Sequence, residues 1–472
     1  MCRYWRKTLL QCPELWSEVF LLKGEDYVKT FLKRAKESPL EIVVDYEVPV
    51  KTIALLPPLT KQIRTLNFLN SRWADFQRFS EVTSRLLPHL HTLTIDFTES
   101  HTHITEEDDM DDLGSNPPSL PLFSDAVDLK ALRFHSASFQ SPFVLHFVFP
   151  NLVSFDLSMI KQGDFDASQL FDFLESSPML QIVYIEVLAS IFLKEVPQER
   201  VISLLSVEKF TLIVGDEGPG YAMAAHIHCP SARVTSMMLK STFEKYTREI
   251  FPTSDSWNTI LRHYTRSPIE EVTLEIRPTD EPLTCKLTFG SPDATTISFS
   301  FIEIRDSADY DEYGMRYPGL PVSEIFAQAT RAIRNHPQLA NIKRLRISHS
   351  FRPSGYFNDA QQTVKEVRRL FNFLGPLDEM TIYHCDLQLY FRLFLVPPTK
   401  KLILLHPIKL SGCTAGLVSL AKMQHARGMP FERVDIWSEE LPEGIEGLIP
   451  WVGSVEYSCE KLRGCRDEWG PR

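Results

Sequence analysis

The sequence predicts an α/β fold in which short parallel strands line the concave side of a stacked solenoid and helices return along its convex side. Three observations predict it: a spaced apolar motif recurs along the chain, helix-length amphipathic stretches separate its copies, and prolines mark the approach to several of them. Each is a statement about burial, because one strand-helix unit cannot cover its own apolar face and must stack on the next.

The motif is apolar-x-x-apolar-x-apolar. Its ten clear copies are IRTLNF from Ile63, LHTLTI from Leu90, LKALRF from Leu129, LVSFDL from Leu152, LQIVYI from Leu180, VEKFTL from Val207, IEEVTL from Ile269, IKRLRI from Ile342, LDEMTI from Leu377 and FERVDI from Phe431. ARVTSMML near Val234 and KKLILL near Leu402 are weaker members. Measured on the fourth position, Leu66 to Leu93 is 27 residues, Phe155 to Val183 is 28 and Val183 to Phe210 is 27, while Leu93 to Leu132 is 39, so the period is irregular. The last three motif positions alternate in and out along a strand, and the first fills the turn leading into it. Leu66, Leu93, Leu132, Phe155, Val183, Phe210, Val272, Leu345, Met380 and Val434 are therefore expected to be buried and in register on neighbouring strands.

Between the copies, Asp166 to Pro178 carries Leu170, Phe171, Phe173 and Leu174, and Gln362 to Pro376 carries Val364, Val367, Leu370, Phe371 and Leu374; both spacings mark a helix packed on one face. Proline in LLPHL, VFPNL, SSPML and NHPQL is expected to stop the returning helix before the strand. Two stretches interrupt the pattern. Residues 99–121 hold a run of acids followed by Pro, Ser and Gly, which cannot bury apolar surface and reads as a solvated loop. Residues 282–304 hold two alternating patterns around Gly-Ser-Pro-Asp, a hairpin-like insertion or two degenerate repeat strands.

Composition excludes several function classes. Lys and Arg number 50 against 61 Asp and Glu, a formal charge of −11, so a phosphate-binding surface is not expected and nucleic acid is not a predicted partner. The eight cysteines are scattered and read as reduced thiols rather than a secreted disulfide framework. There is no signal-like apolar segment, no N-x-Ser/Thr sequon and no apolar run of membrane-spanning length, which points to a soluble cytoplasmic or nuclear protein without a membrane partner. Phosphate-cradling glycine patterns and G-x-S-x-G are absent, and His226, His228 and Cys229, like His101 and His103 beside their acids, lack a second cluster that would complete a metal shell. No catalytic residue, metal or cofactor is predicted.

What remains is a surface. Residues flanking the inward strand positions form ladders on the concave side, and a protein target is expected on Asp156, Tyr184, Glu186, Glu271, Glu275, Arg344, Arg346, Tyr383 and Trp437. Aromatic and Arg side chains recur at interface hot spots, so the last third is where contact is most expected.

Strand and helix alternating at this period resemble the long, irregular variety of leucine-rich repeat. Ahead of the repeats, residues 1–20 contain CRYWRKTLLQCPELW, in which Cys2, Trp5 and Leu9 recur at helical spacing and Pro13 ends the helix. Cys2, Arg3, Trp5, Arg6, Pro13, Leu15 and Trp16 together resemble the C-terminal part of an F-box as found in fungal F-box-like proteins, placed just before leucine-rich repeats at 21–472. The resemblance implies a substrate-recognition subunit of an SCF-type cullin ubiquitin ligase, with the F-box docking on the small adaptor subunit and the repeats holding the target. That family carries further F-box helices, including a Leu-Pro element, ahead of this one; the sequence starts after them and resembles a truncated F-box, so adaptor docking is implied only for a complete one. The alternative is a repeat scaffold without a ligase link.

Overall fold

The computed structural model of the chain describes residues 3–45, 48–70, 79, 82, 87–97, 126–136, 148–159, 165–187, 191–192, 200–215, 220–242, 259–260, 263–264, 268–277, 284–291, 295–304, 322–334, 336–349, 357–383, 396–405, 414–438 and 443–458. The stretch at 99–121 lies outside them. The fold is mixed α/β with mostly parallel strands, and the chain divides into two compact units, Met1–Ala232 and Arg233–Arg472. Among the described residues no helix is long and apolar enough to cross a membrane.

The first unit contains a parallel sheet of β1 (Glu18–Phe20), β2 (Leu40–Val44), β3 (Ile63–Phe68), β4 (Thr92–Phe97), β5 (Ala131–Ser136), β6 (Ser154–Met159), β7 (Ile182–Val187) and β8 (Lys209–Gly215), neighbouring one another in chain order. The ladder expected from the motif is present: Leu66 faces Leu93, then Leu132, Phe155, Val183 and Phe210, and all six are buried. Helix α3 (Ala167–Glu175) buries Leu170, Phe171, Phe173 and Leu174, and the Phe173 ring sits 4.7 Å from that of Phe155. Helices α1 (Arg3–Gln11) and α2 (Glu25–Ala35) belong to the head, and a single helical turn at Val50–Ile53 precedes β3.

The prolines do something more specific than stopping helices. Within this unit the chain makes the same turn six times, five of them ahead of its own strands: the backbone N–H of Leu90, Leu129, Leu152, Leu180, Val207 and Ala232 donates to the carbonyl three residues earlier, that of Leu87, Ala126, Phe149, Ser177, Leu204 and Cys229, at 3.1 to 3.4 Å. Pro88, Pro150, Pro178 and Pro230 take the second turn position, where their fixed φ fits. The repeating frame is thus nine residues, buried-x-x-buried-x-x-buried-x-buried. This frame identifies a copy that the apolar motif only half reveals: Cys229, Ala232, Thr235 and Met237 occupy its four buried positions. Thr235 stands where other copies carry Leu, Phe, Val or Met, and its Oγ1 is buried without a hydrogen-bond partner.

In the second unit β9 (Val234–Thr242) pairs parallel with β12 (Thr296–Ile304), which pairs antiparallel with β11 (Thr284–Gly290), itself antiparallel to β10 (Glu271–Arg277). From β10 the order runs parallel through β13 (Arg344–His349), β14 (Leu377–Tyr383), β15 (Thr399–Leu405), β16 (Arg433–Trp437) and β17 (Ser454–Tyr457). Thr284–Gly290 and Thr296–Ile304 therefore form an antiparallel pair inserted between parallel neighbours. Val272, Leu345, Met380, Leu402 and Val434 are aligned and buried. Helices α4 (Val322–Arg334) and α5 (Phe357–Phe373) pack on each other, with Val367, Leu370 and Phe371 of α5 buried and Leu374 buried just beyond its end; helix α6 (Thr414–Ala426) buries Leu417, Leu420 and Ala421. Gly453, at the start of β17, is required by close approach, because a Cβ there would meet the Glu432 carbonyl oxygen at 2.6 Å.

Two substitutions test the ladder. Leu132→Ala is expected to lower the stability of the first unit by about 3 kcal/mol in urea unfolding through a cavity between aligned neighbours. Thr235→Val is expected to raise the unfolding free energy of its own unit by about 1 kcal/mol, since it removes a buried hydroxyl that has no partner; a lowered value would contradict that placement.

Candidate functional site

The face of the first sheet opposite the ladder is built by strand alternation. Thr94, Arg133, Asp156, Tyr184 and Thr211 stand side by side in one row, and Asp96, His135, Ser158, Glu186 and Ile213 in the next. These two rows close into a hydrogen-bonded group. Tyr184 Oη donates to Glu186 Oε2 at 2.7 Å, Ser158 Oγ donates to the same oxygen at 3.2 Å, and His135 Nε2 lies 3.7 Å from Asp156 Oδ2. Asp156 Oδ1 is inaccessible and has no hydrogen-bond partner. Nearer the chain start, Asn67 Nδ2 donates to Glu41 Oε1 at 2.8 Å.

Burial dominates the electrostatics here. It pushes the Asp156 carboxyl above the ordinary range; His135 and Arg133 pull it back, and Glu186 adds to the rise. Asp96 is raised by burial and opposed by His135. The Tyr184 phenol is pushed up by burial first, then by its hydrogen bond to Glu186 and the carboxylate charges. It therefore stays protonated and acts as a donor. The expected target residues Asp156, Tyr184 and Glu186 are thus brought together; Ser158 was not anticipated, although it holds the same strand parity two residues after Asp156.

On the second unit the expected residues occupy a different kind of face. Successive strands carry pairs of like charge that alternate in sign: Glu270 and Glu271, Lys343 and Arg344, Asp378 and Glu379, Lys400 and Lys401. They pair across the strands. Lys343 bridges Glu270, Arg344 Nε lies 3.3 Å from Glu271 Oε2, Lys400 Nζ is 2.7 Å from Asp378 and Lys401 Nζ is 3.5 Å from Glu379 and 3.3 Å from Asp435. Arg346 Nε is 3.1 Å from Glu271 Oε1, without hydrogen-bond alignment. Arg344 and Arg346, expected to reach a partner, converge on one carboxylate of their own sheet. Glu275, Ser348, Tyr383, Leu405 and Trp437 share the next row, so Tyr383 and Trp437 flank Leu405.

The head consists of α1 (Arg3–Gln11), a short 3-10 turn (Pro13–Trp16) and α2 (Glu25–Ala35). Trp16 ties it together: its Nε1 donates to the Leu9 carbonyl at 2.9 Å, its ring meets Phe31 edge-on at 5.0 Å, and the Arg34 guanidinium lies 4.3 Å over it. Pro13 starts the turn. Arg3 and Arg6 are exposed, as are Tyr4 (73%), Leu10 (41%) and Leu15 (56%). Cys2 and the Trp5 side chain lie outside the described residues.

Elsewhere the chemistry is quiet. Burial raises the Cys229 and Cys285 thiols, which keeps them out of the nucleophilic thiolate form. His226 Nδ1 lies 2.7 Å from the Arg200 carbonyl oxygen. Among the described residues no group of three or more His, Cys, Asp and Glu could hold a metal ion. His101 and His103 lie outside them.

Because folding raises the Asp156 carboxyl, native stability is reduced where that group is ionised and recovers as pH falls through its native value. Asp156→Asn is therefore expected to unfold at a higher temperature than wild type at pH 7, with the gap narrowing toward pH 4 in a calorimetric pH series. A gap independent of pH would show that ionisation is not the cost.

Neither a protein-family model nor a curated protein matches the chain.

Proposed function

We propose that this chain is a non-enzymatic recognition protein, an irregular leucine-rich-repeat solenoid of the F-box-like kind that serves as substrate receptor of an SCF-type ubiquitin ligase in cytoplasm or nucleus. The observation that carries the repeat half is the nine-residue frame, whose seventh position is aligned and buried from strand to strand in each unit. A polar sheet face opposite such a ladder is a surface for a protein target. The adaptor half rests on the head: Trp16 fixes α1 through Leu9, while Tyr4, Leu10 and Leu15 stay exposed beside Arg3 and Arg6, a surface suited to docking.

A second reading, a repeat scaffold without a ligase link, is favoured by the small size of that surface, since none of the α1 side chains described is buried against the body. The two readings separate in one experiment. Full-length protein immobilised with purified adaptor subunit and cullin is expected to retain both, and Leu10→Asp with Leu15→Asp to reduce retention about tenfold or more, a loss of about 1.4 kcal/mol or more, with an unchanged circular dichroism melt. No retention, under conditions where a control F-box protein retains both, defeats the ligase half and leaves the scaffold.

A further inference from the structure

The sheet faces of the two units are charged in different ways. On the second, carboxylates and cations of adjoining strands answer one another, Glu271 with Arg344 and Arg346, Glu379 and Asp435 with Lys401. On the first, Asp96, Asp156 and Glu186 stand on two adjoining rows, and no described lysine or arginine forms an ion pair with Asp156. Among the described residues the His135 ring lies 3.7 Å from its Oδ2, and its buried Oδ1 has no hydrogen-bond partner. Glu186 is fixed from two sides by Tyr184 and Ser158, so its carboxylate is held in place before anything binds. A partly exposed carboxylate that no described lysine or arginine pairs with, next to an oriented one and an aromatic ring, is an arrangement completed by a guanidinium or ammonium group, through charge and contact with the ring.

We propose that this face of the first unit binds a protein segment through a basic side chain, arginine above lysine, seated between Asp156 and Glu186 and against Tyr184. The proposal names the chemistry of the target and rests on the reading of the chain as a target-binding protein. Arginine is favoured because its planar fork can meet two oxygens and lie on a ring at once. Arg133, beside Asp156 in the same row, is a competing cation, so Arg133→Ala is expected to tighten binding rather than weaken it.

Fluorescence anisotropy with a labelled nine-residue peptide of alternating Arg and Ser, at physiological salt, tests this on the full chain. Saturable binding is expected, weaker for the Lys-Ser peptide. The Asp156→Asn, Glu186→Gln double variant is expected to weaken it about tenfold or more, that is by about 1.4 kcal/mol or more. The Asp378→Asn, Glu456→Gln variant removes equal charge from the second unit and is expected to change it less than about twofold. Tyr184→Phe, which keeps the ring and removes the donor, is expected to lie between these and guards against a folding artefact in the double variant. Equal weakening by both double variants would reduce the effect to net charge and overturn the proposal, as would no binding by wild type. Adaptor retention is read separately: peptide binding without it leaves this inference standing and removes the ligase reading, while adaptor retention without peptide binding does the reverse.

Discussion

Everything else in the fold hangs on the side-by-side burial of one apolar residue per strand. Leu66, Leu93, Leu132, Phe155, Val183 and Phe210 form that row in the first unit, and Val272, Leu345, Met380, Leu402 and Val434 in the second. Because strand side chains alternate, a slip of one residue would turn an entire strand's apolar set outward and bring its polar set in. The row therefore fixes register, and register fixes which polar residues meet on the opposite face. Asp156 stands beside Tyr184, and Ser158 beside Glu186, because Phe155 and Leu157 have to stack on Val183 and Ile185.

The six recurring turns supply the second constraint. Each satisfies one backbone N–H just before the strand and delivers its last residue into the core, so adjacent strands begin at the same height. Exposed turn residues add cross-links between repeats: Asn151 Nδ2 donates to the Val127 carbonyl at 2.7 Å, Ser231 Oγ donates to the Leu205 carbonyl at 2.5 Å, and His89 Nδ1 lies 3.0 Å from Asp128. These bonds tie one copy to its neighbour without entering the core.

Much of this was legible in the sequence, and the failures have physical causes. The ladder was readable because one apolar face against one polar face leaves a period of two, and Phe171, Phe173 and Leu174 announce α3 by helical spacing. The copy at 229–237 was half hidden because Thr235 breaks the apolar pattern while keeping the volume of a valine. The prolines read as helix stops in the sequence, since their role in a turn depends on a hydrogen bond that only the fold supplies. The pairing of arginines was illegible for a different reason: Arg346 and Glu271 are 75 residues apart, and Lys401 and Asp435 are 34 apart, so their meeting is decided by strand order. Ser158 escaped notice because its contribution, a hydroxyl donated to a carboxylate one strand away, carries no local signature.

Alternation of charge in the second unit constrains how such a chain can change length. Taking out the strand that carries Lys343 and Arg344 would bring Glu270 and Glu271 against Asp378 and Glu379, and duplicating it alone would set cations against cations. Removing or adding two successive strands keeps opposite signs adjacent. Within these four strands, growth or loss by one strand is thus opposed by like-charge repulsion across the sheet, whereas change in pairs is not. Counted by charge, the repeating unit across these four strands is a pair, one acidic and one basic, rather than the single strand that the apolar residues suggest.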